Sequence, residues 1–226
     1  MSTREWVNRT TPASLARYRP PLPCADMAST YMRVMSRLDR HAGLRVFRIF
    51  KRRLRAWAGA TARSIDCRLL PEHEVLALCA DPALDLVASK VKAAYGRGDL
   101  CVGAFQHKEF AGYCWFALTP TPHLDGAWLD FPDHVVYTYK SFVRPAFRGR
   151  GIAAALYGSA DAHFLERGRT HAVLCVETHN EPSIAAAQRS GFAAAGYAAY
   201  VRGGRLLSWC SGAVTGQGLK FFVPAE

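Results

Sequence analysis

The sequence predicts an α/β (α+β) domain built on a mixed central sheet of about seven strands, flanked by about four helices and preceded by a basic N-terminal extension. Three observations predict it. From Ile65 onward, β-prone and helical runs follow one another as β-α-α-β-β-β-α-β-α-β-β, the pattern of a sheet with helices on its faces. Half of the 226 residues are hydrophobic, enough for a sizeable core, yet no apolar run approaches the roughly 18 to 20 residues that cross a bilayer. The net charge of +11 sits at one end: residues 1–65 hold 14 Lys and Arg against 3 Asp and Glu, and residues 66–226 hold 15 of each.

Residues 1–26 contain Pro12, Pro20, Pro21 and Pro23 without any period and read as an irregular leader. Met27 to Arg40 places Met27, Tyr31, Val34 and Leu38 on one helical face, and Gly43 closes that helix, so residues 1–43 form the basic extension and 44–226 the folded domain. The stretch "LRVFRIFKRRLRAW" has two readings. Arg45, Arg48, Arg52 and Arg55 share a helical stripe, as in a basic amphipathic helix, while Val46, Phe47, Ile49 and Phe50 suit a short edge strand studded with cations.

Beyond residue 64 the text is regular. "IDCRLL" is a strand, and "PEHEVLALCA" is a helix with Pro71 at its first turn. "ALDLVASKVKAAYGRG" is a second helix, stopped by Gly96 or Gly98. "DLCVGAFQHKEFAGYCWFALT" reads as two strands joined by a tight connection, and "HVVYTYKSFV" as a long alternating strand. "IAAALYGSADAHFLERG" is a helix, "AVLCVET" a buried strand and "EPSIAAAQRSG" a short helix. "FAAAGYAAYVRGGRLLSWCSG" closes the chain as a hairpin turning at Gly203-Gly204.

Seven cysteines at 24, 67, 79, 101, 114, 175 and 210 are widely spaced with no CxxC pair, and the eight histidines contain no HExxH. That spacing fits reduced thiols and disfavours both a disulfide framework and a metal site. With no apolar secretory core in the first thirty residues, the expectation is a cytoplasmic protein. The basic arm on a neutral body would dock to something acidic, a membrane surface, an acyl carrier protein or RNA, with nucleic acid the least favoured of these, or else stay solvated without a partner. The oligomeric state is left open, a homodimer included.

The chemistry concentrates in "RPAFRGRGIAAAL", residues 144–156. A strand ending at Val143, a proline turn and "RGRGIA" running into a helix gather unpaired N–H groups at a helix N-terminus, where the partial positive charge lies. Gly149 and Gly151 let the main chain approach a phosphate, and Arg148 and Arg150 add full charges. This is neither a GxGxxG fingerprint nor a P-loop, because the GK[ST] ending is missing.

"VRPAFRGRGIA" resembles the Arg-x-x-Gly-x-Gly/Ala signature of the GNAT-type N-acetyltransferases, here Arg148, Gly149, Arg150, Gly151, Ile152 and Ala153. Some thirty residues later, "NEPSIAAAQRSGF" resembles the second motif of that family, with Asn180 after the fifth strand and Gly191-Phe192 after the helix. The resemblance covers roughly residues 64–226 and implies the GNAT fold, with the sheet splayed between its fourth and fifth strands.

It further implies acyl transfer from acetyl-CoA, or another acyl-CoA, to the primary amine of a small molecule through a tetrahedral intermediate. The pyrophosphate would lie on the amides of 148–153 and the pantetheine between the strands ending at Val143 and Glu177, with Asn180 and Ser183 at its edge. A main-chain N–H near Phe142 or Val143 would hold the oxyanion. The family's usual base position falls on Tyr137 and Tyr139, which share a strand face and would orient a water or the acceptor, since a phenol is a poor base at neutral pH. Glu177, at the mouth of the fifth strand, is the first candidate for base or for the acceptor's ammonium. Cys175 reads as core rather than nucleophile. The family's usual acid, a tyrosine, is replaced by Ala187, which leaves the thiolate's proton to a water held by Ser183 or Asn180, or to solvent.

Tyr113, Trp115, Trp128 and Phe131 are candidate walls of an apolar pocket. Two alternatives stay open: transfer of a longer acyl chain from a carrier protein docked on the basic arm, and a CoA-binding regulatory module without catalysis.

Overall fold

The computed structural model describes residues 44–55, 65–124, 126–201 and 207–224, with Val34 and Arg37. The expected helix over 27–40 lies outside the described residues except for those two, both helical and exposed, and so does the Gly203-Gly204 turn. Among the described residues an eight-stranded sheet, one strand more than the seven expected, forms the frame. Its strands are β1 (Leu44–Arg53), β2 (Ile65–Leu70), β3 (Leu100–Gln106), β4 (Glu109–Ala117), β7 (Val135–Val143), β8 (His171–Glu177), β9 (Ala193–Val201) and β10 (Leu207–Cys210). The spatial order is β10-β9-β1-β8-β7-β4-β3-β2. Only β7 and β8 run parallel, so the sheet is mixed.

β1 is neither a basic helix nor an edge strand. It lies between β8 and β9, antiparallel to both. Its apolar residues alternate without a break, Phe47 and Ile49 facing one side of the sheet and Phe50 and Leu54 the other, and cations interspersed on both faces mask that period; the extra residue in its pairing with β9 is Ala195 of β9. Its arginines are accommodated individually. Arg45 pairs with Glu177, Arg48 lies 5.3 Å over the Phe50 ring, and Arg52 reaches Asp161.

The two faces follow from strand alternation. On β8, Ala172, Leu174 and Val176 point to one face and Val173 and Cys175 to the other. The first face is covered by α3 (Ile152–Ser159), α4 (Asp161–Leu165) and α5 (Glu181–Arg189), which bring Ile152, Leu156, Tyr157, Phe164 and Ala187 into the core. The second carries α1 (Glu72–Leu78) and α2 (Ala88–Gly96) over β2 to β4, through Val75, Val91 and Ala94. Beside them lies a small sheet of β5 (Thr121–Pro122), β6 (Trp128–Asp130) and β11 (Lys220–Phe222), with α6 (Gly212–Thr215) nearby. Strands of two or three residues show no period, which is why the small sheet is illegible in the text.

The helix expected over 152–168 is broken at Ala160. Arg52 Nη2 donates to the Tyr157 carbonyl at 2.5 Å, the acceptor that the Asp161 N–H would use in a continuous helix, and the Asp161 carboxylate turns to the same guanidinium. The aromatic residues expected to line a pocket are mostly core. Tyr113, Trp115 and Phe131 are buried, with the Tyr113 hydroxyl donating to Leu84 O at 2.7 Å, and only Trp128 stays half-exposed, under Arg97.

Candidate active site

The strand pair expected to splay does so. β7 pairs with β8 from Val135↔His171 to Thr138↔Leu174, and the register stops there. The cause is visible on the other side of β7. Cys114 of β4 faces Ser141 and Phe116 faces Thr138, so both Tyr139 and Lys140 stand opposite Trp115, a bulge that bends β7 away from β8. Beyond it β7 remains tied to β4, with Arg144 N–H donating to Ala111 O at 2.9 Å. Antiparallel alternation then turns the Phe142 N–H toward β4 and the Ser141 and Val143 amides toward the gap. The Val143 carbonyl, on that same side, accepts from Arg148 Nε at 3.2 Å.

At the mouth of the gap stands the glycine loop. Gly149 and Gly151 have φ of 77° and 81°, the left-handed region that costs other residues about 1–2 kcal/mol. A Cβ built on either would meet nothing within 4 Å, so the space beside the loop is open. Gly151 caps α3, whose first amides, at Ile152 and Ala153, have no intrahelical acceptor. The Ile152 side chain is buried and anchors the helix start. Arg148 and Arg150 are exposed at the rim, and Arg150 is steadied by Gln106 Oε1 at 3.2 Å and by the Phe147 ring.

Tyr137 and Tyr139 share the face that carries α1 and α2, with ring centroids 5.9 Å apart. Each hydroxyl is already engaged: Tyr137 with His123 Nδ1 at 2.6 Å, and Tyr139 as donor to Asp99 Oδ2 at 2.8 Å. Burial drives both phenols well above the ordinary tyrosine range, so they are hydrogen-bonding groups and not bases at neutral pH. Asp99 was not legible as a site residue. It is 1% exposed, takes Arg97 Nη2 on the same oxygen at 2.6 Å, and its Oδ1 has no hydrogen-bond partner among the described residues. Burial raises its carboxyl, opposed by the Tyr139 hydrogen bond and the Arg97 charge. Only an acidic residue just ahead of β3, in "GRGDL", hinted at it.

Glu177 sits at the end of β8, 23% exposed in its side chain, and is not alone. Arg45 Nη1 lies 2.5 Å from its Oε1 and His179 Nε2 3.6 Å from Oε2. Asn180 caps α5, its side-chain oxygen accepting from the Ser183 main-chain N–H at 3.2 Å, which commits that oxygen to the helix start. Ala187 is buried under α5. Cys175 is packed against the core, and burial pushes its thiol up to about 12, as suits an inert cysteine. On the other face of β7, the Ser141 hydroxyl lies 3.0 Å from that of Tyr157. Among the described residues, no three His, Cys, Asp or Glu side chains gather as a metal site would. No described helix is long and apolar enough to cross a membrane.

Residues 71–192 match the acetyltransferase (GNAT) family. No curated protein matches the chain. Among solved structures it is similar to a putative acetyltransferase from Salmonella typhimurium with its cofactor acetyl-CoA (18% identity, covering 58% of this chain and 80% of that one, TM-score 0.43). It is similar also to an aminoglycoside 6'-N-acetyltransferase from Acinetobacter baumannii (17% identity, 57% and 90% covered, TM-score 0.45). A conserved protein of unknown function from Staphylococcus epidermidis is a third (12% identity, 74% and 65% covered, TM-score 0.49).

Proposed function

The chain belongs to the acetyltransferase (GNAT) family and is therefore an acyltransferase, and we propose that it moves the acetyl group of acetyl-CoA to the primary amine of a small molecule by direct attack. The observation that carries this reading is a juxtaposition: the open glycine loop at the α3 N-terminus faces the mouth of the gap where β7 leaves β8. An open loop lined with helix-end amides and flanked by two arginines suits a pyrophosphate.

In this proposal the amides of Gly149, Arg150, Gly151, Ile152 and Ala153 hold the pyrophosphate, with Arg148 and Arg150 as its rim charges. Val143 and Ser141 offer main-chain N–H groups along the gap. One of them polarises the thioester carbonyl, in place of Phe142, whose amide is turned to β4. A donor aimed at the developing oxyanion is worth about 3 kcal/mol. Glu177, the more accessible of the two carboxylates, receives the acceptor's ammonium and takes its proton, directly or through a water. Tyr139 and Asp99 form the floor beneath, with Tyr137 buttressing Tyr139. Asn180 and Ser183 act by fixing the start of α5 beside the gap.

The test is an acyl-donor panel. Acetyl-CoA should bind in a calorimetric titration and support transfer to members of an amine library, with acetyl-CoA preferred over long-chain acyl-CoA and acyl carrier protein. A folded protein that binds no acetyl-CoA, or one that transfers only long chains, overturns the proposal.

A further inference from the structure

The proposed reaction leaves sulfur with a negative charge, and Ala187 offers it nothing. The part of β7 beyond its pairing with β8 carries two hydroxyl side chains: Tyr139, which donates to Asp99, and Ser141, whose hydroxyl is not free-standing either. It lies 3.0 Å from the phenol of Tyr157 on α3, the helix that begins at the glycine loop. The pair therefore joins the strand lining the gap to the helix whose N-terminus receives the pyrophosphate in the proposal above.

The direction of that hydrogen bond follows from burial. Tyr157 is 6% exposed, packed edge-on against Phe192 at 5.6 Å and inside the cluster that includes Leu156 and Ala187. Among the described residues Ser141 is the hydrogen-bond partner given to its hydroxyl. A buried phenol must place its hydrogen on an acceptor, so Tyr157 donates to Ser141 Oγ. Ser141 is exposed, so its own hydrogen is released toward the gap. Of the other polar residues considered for the sulfur, Asn180 has its side-chain oxygen occupied by the Ser183 main-chain N–H in capping α5.

We propose that Ser141, oriented by Tyr157, is the hydrogen-bond donor that stabilises the departing CoA thiolate, in the place where Ala187 offers no group. This rests on the reading of the gap as the CoA thioester site. In the step, the amine nitrogen has formed its bond to the carbonyl carbon and passed its surplus proton to Glu177 or water. The carbon–sulfur bond breaks with its electron pair going to sulfur. Ser141 Oγ–H hydrogen-bonds to that sulfur and stabilises its charge while Tyr157 holds Oγ in place. The thiolate then takes a proton from water, balanced by the proton that Glu177 or water received from the amine, so the dyad keeps both its hydrogens. Ser141 is the catalytic residue of the two and Tyr157 a positioning residue. Burial pushes the Tyr157 hydroxyl up to about 12, which keeps it protonated and donating throughout the neutral range.

The test needs no acceptor amine. With protein in excess over CoA, the rate at which iodoacetamide alkylates bound CoA is followed chromatographically against pH, giving the thiol's apparent pKa. A donor aimed at sulfur stabilises the thiolate, so bound CoA in the unaltered protein should titrate about one unit below free CoA, a tenfold larger thiolate fraction at a given neutral pH. Ser141→Ala should abolish that shift and Tyr157→Phe most of it, each leaving CoA affinity within about twofold, since neither touches the glycine loop. Equal thiol titration in the unaltered protein and both variants overturns the dyad while leaving the CoA site standing. Absence of CoA binding to the folded, unaltered protein overturns the site itself. Should Tyr157→Phe fold poorly by circular dichroism, Ser141→Ala, a change at an exposed position, decides the matter.

Discussion

Arg52 of β1 grips Asp161 of α4 with both terminal nitrogens, Nη1 at 2.5 Å from Oδ2 and Nη2 at 2.7 Å from Oδ1, and both side chains are nearly sealed from water, at 10% and 3% exposure. The Asp161 carboxylate also accepts the Arg55 N–H at 3.1 Å, and the guanidinium lies 5.0 Å over the Phe192 ring. Removing one partner strands a buried charge. Asp161→Asn or Arg52→Met should therefore cost about 3–5 kcal/mol of stability. The double change Arg52→Met with Asp161→Leu should recover much of it, read as denaturation midpoints at unchanged slope. Additive losses would show that the pair is not the coupling element.

The glycine loop and the β4–β7 contact separate binding from folding. Gly151→Val adds a side chain at φ 81°, where no protein atom lies within 4 Å of the new Cβ. It should cost about 1–2 kcal/mol of stability through backbone strain and weaken acetyl-CoA by at least about tenfold in calorimetric titration. Gly112→Ala does the opposite: its Cβ would stand 2.3 Å from the Phe142 carbonyl oxygen, forcing β4 from β7. Its loss should appear first in thermal stability. Undiminished acetyl-CoA affinity in a folded Gly151→Val protein would remove the loop from the donor site.

Glu177 carries the acceptor side of the proposal. Glu177→Gln should lower turnover by about 10²-fold or more at neutral pH with donor affinity nearly unchanged, because the carboxylate acts on the amine and not on the nucleotide. Full turnover in this variant would shift the acceptor's anchor to Asp99, tested in turn by Asp99→Asn.

Buried phenols make the fold sensitive to alkali. Tyr113, Tyr137, Tyr139 and Tyr157 are all raised by burial above the ordinary value of 10.0. Their folded pKa values exceed their unfolded ones, so the unfolded chain loses these protons first. The stability they contribute is full below about pH 10 and declines as pH rises beyond it. Phenolate absorbance should rise together with loss of circular dichroism above that pH, in one transition. Titration of all the tyrosines in a protein that keeps its fold would contradict this.

The position of β1 divides the basic N-terminal region in two. Deleting residues 1–40 removes 7 Arg and 3 acids and leaves β1 whole, so the fold and acetyl transfer from acetyl-CoA should persist. Deleting residues 1–55 removes a strand from the middle of the sheet, together with Arg45 and Arg52, and should abolish folding. We propose that residues 1–43 form an arm that docks to an acidic partner. If so, transfer from a tethered donor should fall in the shorter deletion, and the difference should shrink as salt rises, because screening at about 10 Å in 0.1 M salt weakens the attraction. Equal rates with every donor would make the arm a passenger.

What could be read in the text by itself lies within a dozen residues or follows a repeating period. The glycine loop is legible because only glycine enters the left-handed region cheaply, and the helix start after it because apolar spacing changes from two to nearly four. Alternation on β7 and the continuous apolar run of β8 announce two strands, and the motif pair around Arg148 and Asn180 points to the gap between them. Tertiary structure alone decided which strands are neighbours. An alternating pattern says which side chains share a face but carries no address for the partner strand, and in β1 the interspersed arginines masked even that pattern. The pairs that shape the site join positions far apart in the chain: Arg45 with Glu177 across 132 residues, Asp99 with Tyr139 across 40, Ser141 with Tyr157 across 16. Each of these hydrogen bonds exists because the sheet and its two covered faces bring distant positions together, a condition set by no local run of residues.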